Sequence, residues 1–424
     1  MTHARRWTIV GLLFVASLIN YFDRATLSFA LPMISDELHI GAARQGVLLS
    51  AFFWSYALMQ IPVGWCADRV NLRWLYAAAF VIWSLAQSLI GLARSLTALI
   101  SFRVLLGFGE SIYLPGGSKI VSLLFRRAER GLPSGLFDAG TRTGLVIEGV
   151  LVPWMLSRFG WRVTFVVVGI SALLWLIPWL IVTPRGLQAP ANPENARPAG
   201  TRSCAASGGT ECGGAAPGSV PFLARTRTLL TNRNLLGLCL GFFCFDYYWY
   251  LLLTWLPNYL VKVRHFSIFE AGLGASLPFL VFGASEPVGG WIADRLVRAG
   301  WNETFARKGV VGLGFMTGLF LIPAARVTNP GLVVALFVAA SLVGISNGNQ
   351  LVMLQGCAPI RDIGLWTGIY NFVGNVAGIL APIVTGLLVE WTGSYSPAFV
   401  LAAVMLVAGQ LAYWFILGEL KTPA

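Results

Sequence analysis

Charged side chains are scarce in this chain. Only 11% of its 424 residues are charged, 56% are hydrophobic, and the mean hydropathy is +0.72. A soluble domain carries about 25% charged residues, so this chain has too few to cover a water-facing surface. This excludes soluble enzymes and nucleic-acid-binding proteins. The topology of a membrane protein explains the net charge of +12 better than a polyanion-binding patch does.

Residues that build metal and redox sites are also few. The three histidines (His3, His39 and His265) lie outside the apolar runs, and the six cysteines show no zinc, redox or disulfide spacing. We therefore expect no metal and no cofactor. We also expect no cleavable signal, because Arg5 and Arg6 lead into an apolar run that is too long for a signal-peptide core.

The chain is rich in long apolar runs. A helix that crosses about 30 Å of hydrocarbon needs about 20 mainly apolar residues. Twelve runs qualify and are numbered here as spans 1 to 12: 8–33, 45–67, 75–93, 97–125, 133–156, 162–183, 232–260, 269–293, 307–325, 331–354, 363–389 and 396–419. They predict an all-α membrane protein of two pseudo-symmetric six-helix bundles, residues 1–183 and 232–424. Residues 184–231 are expected to be a cytoplasmic linker, because their low-complexity composition cannot bury a core.

The distribution of lysine and arginine predicts the orientation. When basic residues at span boundaries are counted with the adjoining loops, 19 lie on the side that holds both termini and 7 on the other side. Cytoplasmic loops of membrane proteins carry the excess of basic residues. We therefore expect both termini in the cytoplasm; a bacterial-type inner membrane is what the family resemblance described below implies.

An internal repeat links the two predicted bundles. The sequence PVGWCADR at 62–69 closes span 2, and PVGGWIADR at 287–295 closes span 8. Parallel repeats of six helices with a binding site at the midplane are a known transporter plan. We predict gates that hold the cytoplasmic side shut in one state, with a static loop as the alternative. The predicted gate residues are Gly64, Asp68, Arg69, Arg73, Asp294 and Arg295.

Four ionisable residues of spans 1 and 4 are the main functional candidates in the first bundle. Asp23 and Arg24 are adjacent in span 1 and face different neighbours, whereas Arg103 and Glu110 share one stripe of span 4. Charges inside a membrane are expensive and mark functional candidates. Their charges sum to zero, so protonating one acid would prepare the site for an anion. We predict Arg24 as the carboxylate ligand, Asp23 and Glu110 as proton carriers, and Arg103 as the partner of one acid; the alternative is a permanently paired structural cluster.

Several motifs resemble known families. The loop GxxxDRxNxR at 64–73 resembles the signature loop of the major facilitator superfamily. Four further motifs resemble the anion:cation symporter family: YxDR at 21–24, Arg103 followed by Glu110, LTWLPxYL at 253–260 and NFVGN at 371–375. The resemblance implies a proton-coupled organic-anion carrier with Tyr21, Arg24 and Tyr56 at the substrate. It also implies that Asp23, Arg103 and Glu110 act in coupling.

One departure from this family puts the exact sugar acid in doubt. Sugar-acid carriers of the family tend to have a hydroxyl-bearing cluster at the end of span 10, where this chain has QGCAP at 355–359. Amides can also serve a polyol, and those nearby are Asn347, Asn349, Gln350 and Gln355. Gln355, together with Asn371 and Asn375 of the NFVGN motif, is a candidate substrate ligand. Trp255, in the aromatic-rich span 7, is a candidate to stack on the substrate, although packing explains such residues equally well.

Other charges are harder to assign. Asp138 and Arg142, four residues apart in span 5, are expected to form a local structural pair. Glu148, Asp246 and Glu286 have no obvious partner in the sequence, and their roles stay open.

The expected function is import of an organic anion, most simply a sugar acid, by proton symport through alternating access. The alternatives are a proton-independent exchanger or efflux carrier, and a symporter of an aromatic carboxylate. The expected partners are the anion, protons and the lipid bilayer, with no nucleic acid, and the expected functional unit is a monomer.

Overall fold

Helices form nearly all of the protein that the structure describes. The structure is a computed structural model, and it describes residues 2–125, 131–187, 231–358 and 363–420. Most of the predicted linker, residues 188–230, lies outside the described residues, so the linker and the domain boundaries stay predictions.

The helices follow the predicted spans in order. The amino-terminal half contains His3–Leu38 (span 1), Ala42–Arg69 (span 2), Leu72–Ile90 (span 3), Leu96–Glu110 with Tyr113–Leu124 (span 4), Gly131–Ala172 (span 5 and the start of span 6) and Leu176–Val182 (the end of span 6). The carboxy-terminal half contains Arg233–Lys262 (span 7), Ile268–Arg298 (span 8), Glu303–Gly318 with Leu321–Ala324 (span 9), Pro330–Ser341 with Asn347–Cys357 (span 10), Ile363–Thr392 (span 11) and Ser396–Phe415 (span 12). Short 3-10 turns at Leu173–Trp175 and Leu342–Ser346 complete spans 6 and 10.

Among the described residues, ten helical segments are long and apolar enough to cross a membrane. One of them, Pro133–Val182, holds predicted spans 5 and 6 together. It turns at Gly160, whose φ of 73° lies in the left-handed region that favours glycine. Span 2 is a continuous helix but is not among the ten. The twelve predicted spans therefore correspond to twelve helical passes.

Local sequence signals explain where several spans begin. The side chains of Asn71, Ser95 and Asn232 each accept a hydrogen bond from a backbone N–H in the first turn of spans 3, 4 and 7. Ser267 and Glu270 form a capping box at the start of span 8, where each side chain bonds the backbone of the other.

The two halves pack closely along two pairs of helices. A Cβ added to Gly46 of span 2 would lie 2.4 Å from the carbonyl oxygen of Pro382 in span 11. A Cβ on Gly149 of span 5 would lie 1.8 Å from the Ser276 hydroxyl of span 8. Small residues allow membrane helices to approach to backbone contact, and here they bring spans 2 and 11, and spans 5 and 8, together.

The surface of the helical body is apolar. Large side chains such as Trp154, Leu174, Ile181 and Phe415 are exposed. Polar and ionisable groups, including Asp23, Glu110 and Glu148, are instead completely buried. This arrangement suits a protein that is surrounded by lipid and keeps its polar residues in the interior.

Candidate functional site: a charged cavity between the two halves

A cavity of about 430 Å³ lies between the two halves, and both contribute to its walls. Five residues that the sequence predicted as substrate ligands line it: Tyr21, Arg24, Tyr56, Asn371 and Asn375. A volume of this size suits a small-molecule site.

Arg24 is the most buried cation on the cavity wall. Its Nε donates to Oε2 of Glu110 at 2.9 Å, and Asn20 donates to the same oxygen at 2.6 Å. Its guanidinium lies over the rings of Tyr21 and Tyr56, 5.0 and 4.4 Å from their centroids. The Nη2 atom is buried and has no acceptor among the described residues. Arg24 therefore keeps one donor, Nη2, without an acceptor among the described residues, beside the Nε that donates to Glu110.

Asp23 points away from Arg24, as the helix geometry predicted. Its Oδ2 accepts a hydrogen bond from the indole Nε1 of Trp83 in span 3, and its Oδ1 is buried with no partner among the described residues. Arg103 reaches only the backbone oxygen of Asp23, at 3.5 Å. Arg103 forms no ion pair with an acid among the described residues, and its role beside the acids stays a prediction. The buried ion pair is Arg24 with Glu110, because span 1 directs Arg24 toward span 4.

Glu148 of span 5 adds a third acid to this buried group. It is fully buried and lies within electrostatic range of Asp23 and Arg103. With all five groups ionised, the cluster carries a net charge of −1 rather than the predicted zero. The sequence marked Glu148 as an unpartnered charge inside a span, but it did not indicate which helices span 5 would meet.

A second arginine enters the cavity from span 5. Arg142 donates from Nη2 to Oε1 of Glu286 at 2.7 Å and from Nε to Oε2 at 3.4 Å, so the pair joins the two halves. Asn347 of span 10 donates to the same Oε1. The predicted local pair of Asp138 with Arg142 does not form among the described residues. Asp138 lines the cavity separately, as does Asp246 of span 7.

Amide groups extend the polar wall toward span 11. Tyr250 donates to Oδ1 of Asn375 at 3.4 Å, and Asn375 donates to the backbone oxygen of Asn371 at 2.8 Å. Asn371 in turn donates to Gln60 across the boundary between the halves at 3.1 Å. These groups offer hydrogen bonds that suit a polyhydroxylated molecule.

Two predicted substrate ligands lie away from the cavity lining. Trp255 is fully buried, and its Nε1 donates to the backbone oxygen of Pro382 at 3.3 Å. Gln355 is exposed near the end of span 10. Trp255 packs at the contact of spans 7 and 11, which agrees with the alternative that aromatic residues of span 7 serve packing.

The predicted gate residues that can be described bond within their own half. Arg73 donates to the backbone oxygens of Leu180 and Thr183, at 2.6 and 2.8 Å, and so holds the end of span 6. Asp294 pairs with Arg307 at 3.1 Å, and Arg295 lies over the ring of Trp291. Gly64 faces Pro115 of span 4. The side chains of Asp68 and Arg69 lie outside the described part of the structure.

Polar contacts between the halves cluster at the opposite end of the helices. Asp36 at the end of span 1 pairs with Lys262 at the end of span 7. Glu390 at the end of span 11 accepts from the backbone N–H of Ala43, at the start of span 2, at 2.7 Å. Asn258 donates to Gln45 at 3.1 Å. The halves are therefore joined at the end where spans 1, 7 and 11 finish.

Metal chemistry finds no support in the described residues, where no group of three or more His, Cys, Asp or Glu could hold an ion. The fold and the central charged cavity instead define the class of a membrane carrier with its site between two helical halves.

Comparison with known proteins supports this class. A family model described as the Major Facilitator Superfamily matches residues 13–359, and the chain belongs to this superfamily. It is a multi-pass membrane transporter, not an enzyme.

Several curated transporters are similar over nearly the whole chain. The "Probable galactarate/D-glucarate transporter GudP" of Bacillus subtilis is 32% identical and aligns with 98% of this chain and 92% of its own length. The "D-galactonate transporter" of Escherichia coli is also 32% identical, over 98% and 96% of the two chains. The "Hexuronate transporter" of Bacillus subtilis is 28% identical, over 95% and 93%. These relatives are of the type that the resemblance to the anion:cation symporter family predicted.

Solved structures share the fold. A bacterial homologue of the human lysosomal transporter Spinster, in an inward-facing and occupied conformation, matches with a TM-score of 0.79 and 17% identity, over 98% of this chain and 97% of that one. A mutant of the nucleoside transporter NupG matches with a TM-score of 0.72 and 14% identity, over 96% and 100% of the two chains. At these identities the likeness concerns the fold alone.

Proposed function

We propose that this protein imports a sugar acid by proton symport through alternating access. The names of its relatives support the substrate class, since they refer to galactarate, glucarate, galactonate and hexuronate. The cavity supports it too, because two cations and several amides and tyrosines line one space.

The Arg24–Glu110 pair is the observation that carries this proposal. A buried guanidinium with one free donor matches the planar geometry of a carboxylate. The partner that holds Arg24 is itself an acid, so the Glu110 carboxylate and a substrate anion compete for the same arginine. When a proton neutralises Glu110, Arg24 is released toward the anion.

Thermodynamic linkage then couples proton binding at Glu110 to anion binding at Arg24. If protonation of Glu110 strengthens anion binding, the bound anion must favour protonation to the same extent. Asp23 and Glu148 are further candidates to take up protons, since both are fully buried beside Arg103. Arg103 would moderate the charge of these acids, and Trp83 would orient Asp23. Protonation of one acid would bring the cluster of five groups from −1 to neutral, and a second proton would leave it ready for an anion.

The proposed orientation places both termini in the cytoplasm and the protein in the inner membrane of a bacterium. The end joined by Asp36–Lys262 and Ala43–Glu390 would then face the exterior, and the cavity would open toward the cytoplasm. The loops after spans 2 and 8 would form the opposite gate in the other state, with Asp68, Arg69, Arg73, Asp294 and Arg295. We propose that the monomer is the functional unit.

Uptake by purified protein in liposomes tests this function. The liposomes have an inward proton gradient and no anion gradient, and the panel contains hexuronates, aldonates, aldarates and aromatic acids. Concentrative uptake of sugar acids that a protonophore abolishes is the expected result.

Other outcomes point to the alternatives. Equilibration without accumulation, or uptake only against a preloaded anion, would favour a facilitator or an exchanger. Accumulation of aromatic acids alone would favour the aromatic-carboxylate symporter. The control for replacing Glu110 by glutamine is Glu37→Gln, because Glu37 pairs with Arg162 away from the cavity, at 2.7 Å.

A further inference from the structure

The cavity contains two copies of one arrangement of side chains. In each copy a glutamate oxygen accepts one hydrogen bond from an asparagine amide and another from an arginine. The first copy is Asn20, Glu110 and Arg24, and the second is Asn347, Glu286 and Arg142. In each, the guanidinium also lies over aromatic rings. Both arginines line the same cavity.

We propose that Arg142 is a second carboxylate anchor, so that the site selects a polyhydroxylated dicarboxylate over the corresponding monocarboxylate. This inference rests on the proposed sugar-acid function and refines its substrate class.

The geometry of the second copy leaves Arg142 able to bind. Glu286 uses the Nε and one Nη2 hydrogen of the guanidinium, and the Nη1 atom donates to no described residue. The guanidinium is 5.1 and 5.5 Å from the ring centroids of Phe282 and Trp249, which limits its rotation. The Arg142 side chain is 20% exposed, and the space it faces is the cavity. An arginine held in this way is oriented and still accessible.

Two arginines on the wall of one cavity suit a substrate with two carboxylates. Arg24 pairs with Glu110 of its own half, whereas Arg142 pairs with Glu286 of the other half, and Glu286 also accepts from Asn347. Tyr21 lines the same cavity and lies within electrostatic range of both arginines. A substrate with a carboxylate at each end would therefore contact both copies.

The remaining acids of the cavity suit the middle of such a substrate. Asp138 and Asp246 line the cavity, and Asp246 accepts no hydrogen bond from a described residue. A carboxylate accepts hydrogen bonds from hydroxyl groups but repels another carboxylate. These two acids favour a polyol chain near them and keep the charged ends at the arginines.

The alternative role for the Arg142–Glu286 pair is a latch, that is, a contact that only holds the two halves together. A latch would change the affinity for all substrates alike, because it acts on the conformational equilibrium. A second anchor would affect only substrates that carry the second carboxylate.

Galactarate and D-galactonate provide a matched pair of probes, since they share hydroxyl configuration and differ in the second terminal carboxylate. The dissociation constants of both are measured on purified full-length protein for wild type, Arg142→Gln, Glu286→Gln and Arg162→Gln. Wild type is expected to bind galactarate more tightly. Arg142→Gln should lose roughly 10- to 100-fold of that preference while D-galactonate binding changes little.

The two other variants separate the roles. Glu286→Gln removes the ion pair but keeps the cation, so it should retain the preference for galactarate. Arg162→Gln, at the start of span 6 and away from the cavity, should leave both dissociation constants unchanged. Thermal unfolding in detergent verifies that each variant is folded.

If Arg142→Gln and Glu286→Gln each lower the affinity for both ligands equally, the pair is a latch and the second anchor is overturned. Unchanged galactarate binding in folded Arg142→Gln would also overturn it. A wild type that binds D-galactonate as tightly as galactarate refutes the anchor alone, whereas a wild type that binds no sugar acid refutes the proposed function.

Discussion

Replacing Arg24 by glutamine gives the sharpest test of the site. The change removes a cation from the cavity wall and the partner of Glu110 at 2.9 Å. Loss of one member of a buried, charge-assisted contact costs about 2–5 kcal/mol, which corresponds to roughly 30-fold to several thousandfold in Kd. If the wild-type Kd is near 100 µM, a value assumed for this estimate, we therefore expect the Kd of the variant to be about 3 mM or higher.

Binding is best measured by calorimetry or by intrinsic tryptophan fluorescence. Arg24→Lys is an informative companion, because it retains the charge but lacks the planar fork, and it should bind weakly. Arg162→Gln serves as the control for loss of an arginine away from the cavity.

Stability must be separated from binding. Arg24→Gln leaves Glu110 buried without its cation, which can cost about 3–5 kcal/mol of stability. The double variant Arg24→Gln, Glu110→Gln removes both charges and should restore much of this stability, yet it should still fail to bind. Wild-type affinity in either folded variant would refute Arg24 as the carboxylate ligand.

Three further predictions follow from the same geometry. Glu110→Gln should bind the anion but lose accumulation driven by a proton gradient in liposomes; normal acid-stimulated uptake would contradict its role in coupling. Lys262→Ala should weaken the joined end by about 1 kcal/mol, a roughly fivefold shift toward opening there; spin-label distances across spans 1 and 7 measure this, and an unchanged distribution would contradict the role of the contact. Gly149→Ala should reduce transport, because its Cβ would lie 1.8 Å from the Ser276 hydroxyl, and adding Ser276→Gly should restore part of the activity. If the single and double variants are equally active in uptake assays, close packing of spans 5 and 8 is not supported.

The helical passes could be predicted from the sequence because lipid imposes a local rule. Each pass must supply about 20 apolar residues in one continuous segment, whatever its neighbours are. The predicted bounds of spans 5 and 6 leave a loop at 157–161, and the structure places a kink at Gly160 within one helical stretch.

The candidate site was predictable only in part. Tyr21, Arg24, Tyr56, Asn371 and Asn375 reach the cavity as predicted, since intramembrane polar groups and family motifs marked them. Trp255 and Gln355 do not, because aromatic and amide residues serve packing and interfaces as readily as ligands.

The pairing of charges depended on the tertiary structure. The sequence determined that ionisable residues lie within the membrane, because hydropathy and helical spacing are properties of one segment. It could not determine that Arg24 meets Glu110, that Arg142 crosses to Glu286 rather than to Asp138, or that Glu148 lies beside Asp23 and Arg103. Those contacts depend on the rotation and register of helices far apart in sequence, and only the packing of the two halves decides them.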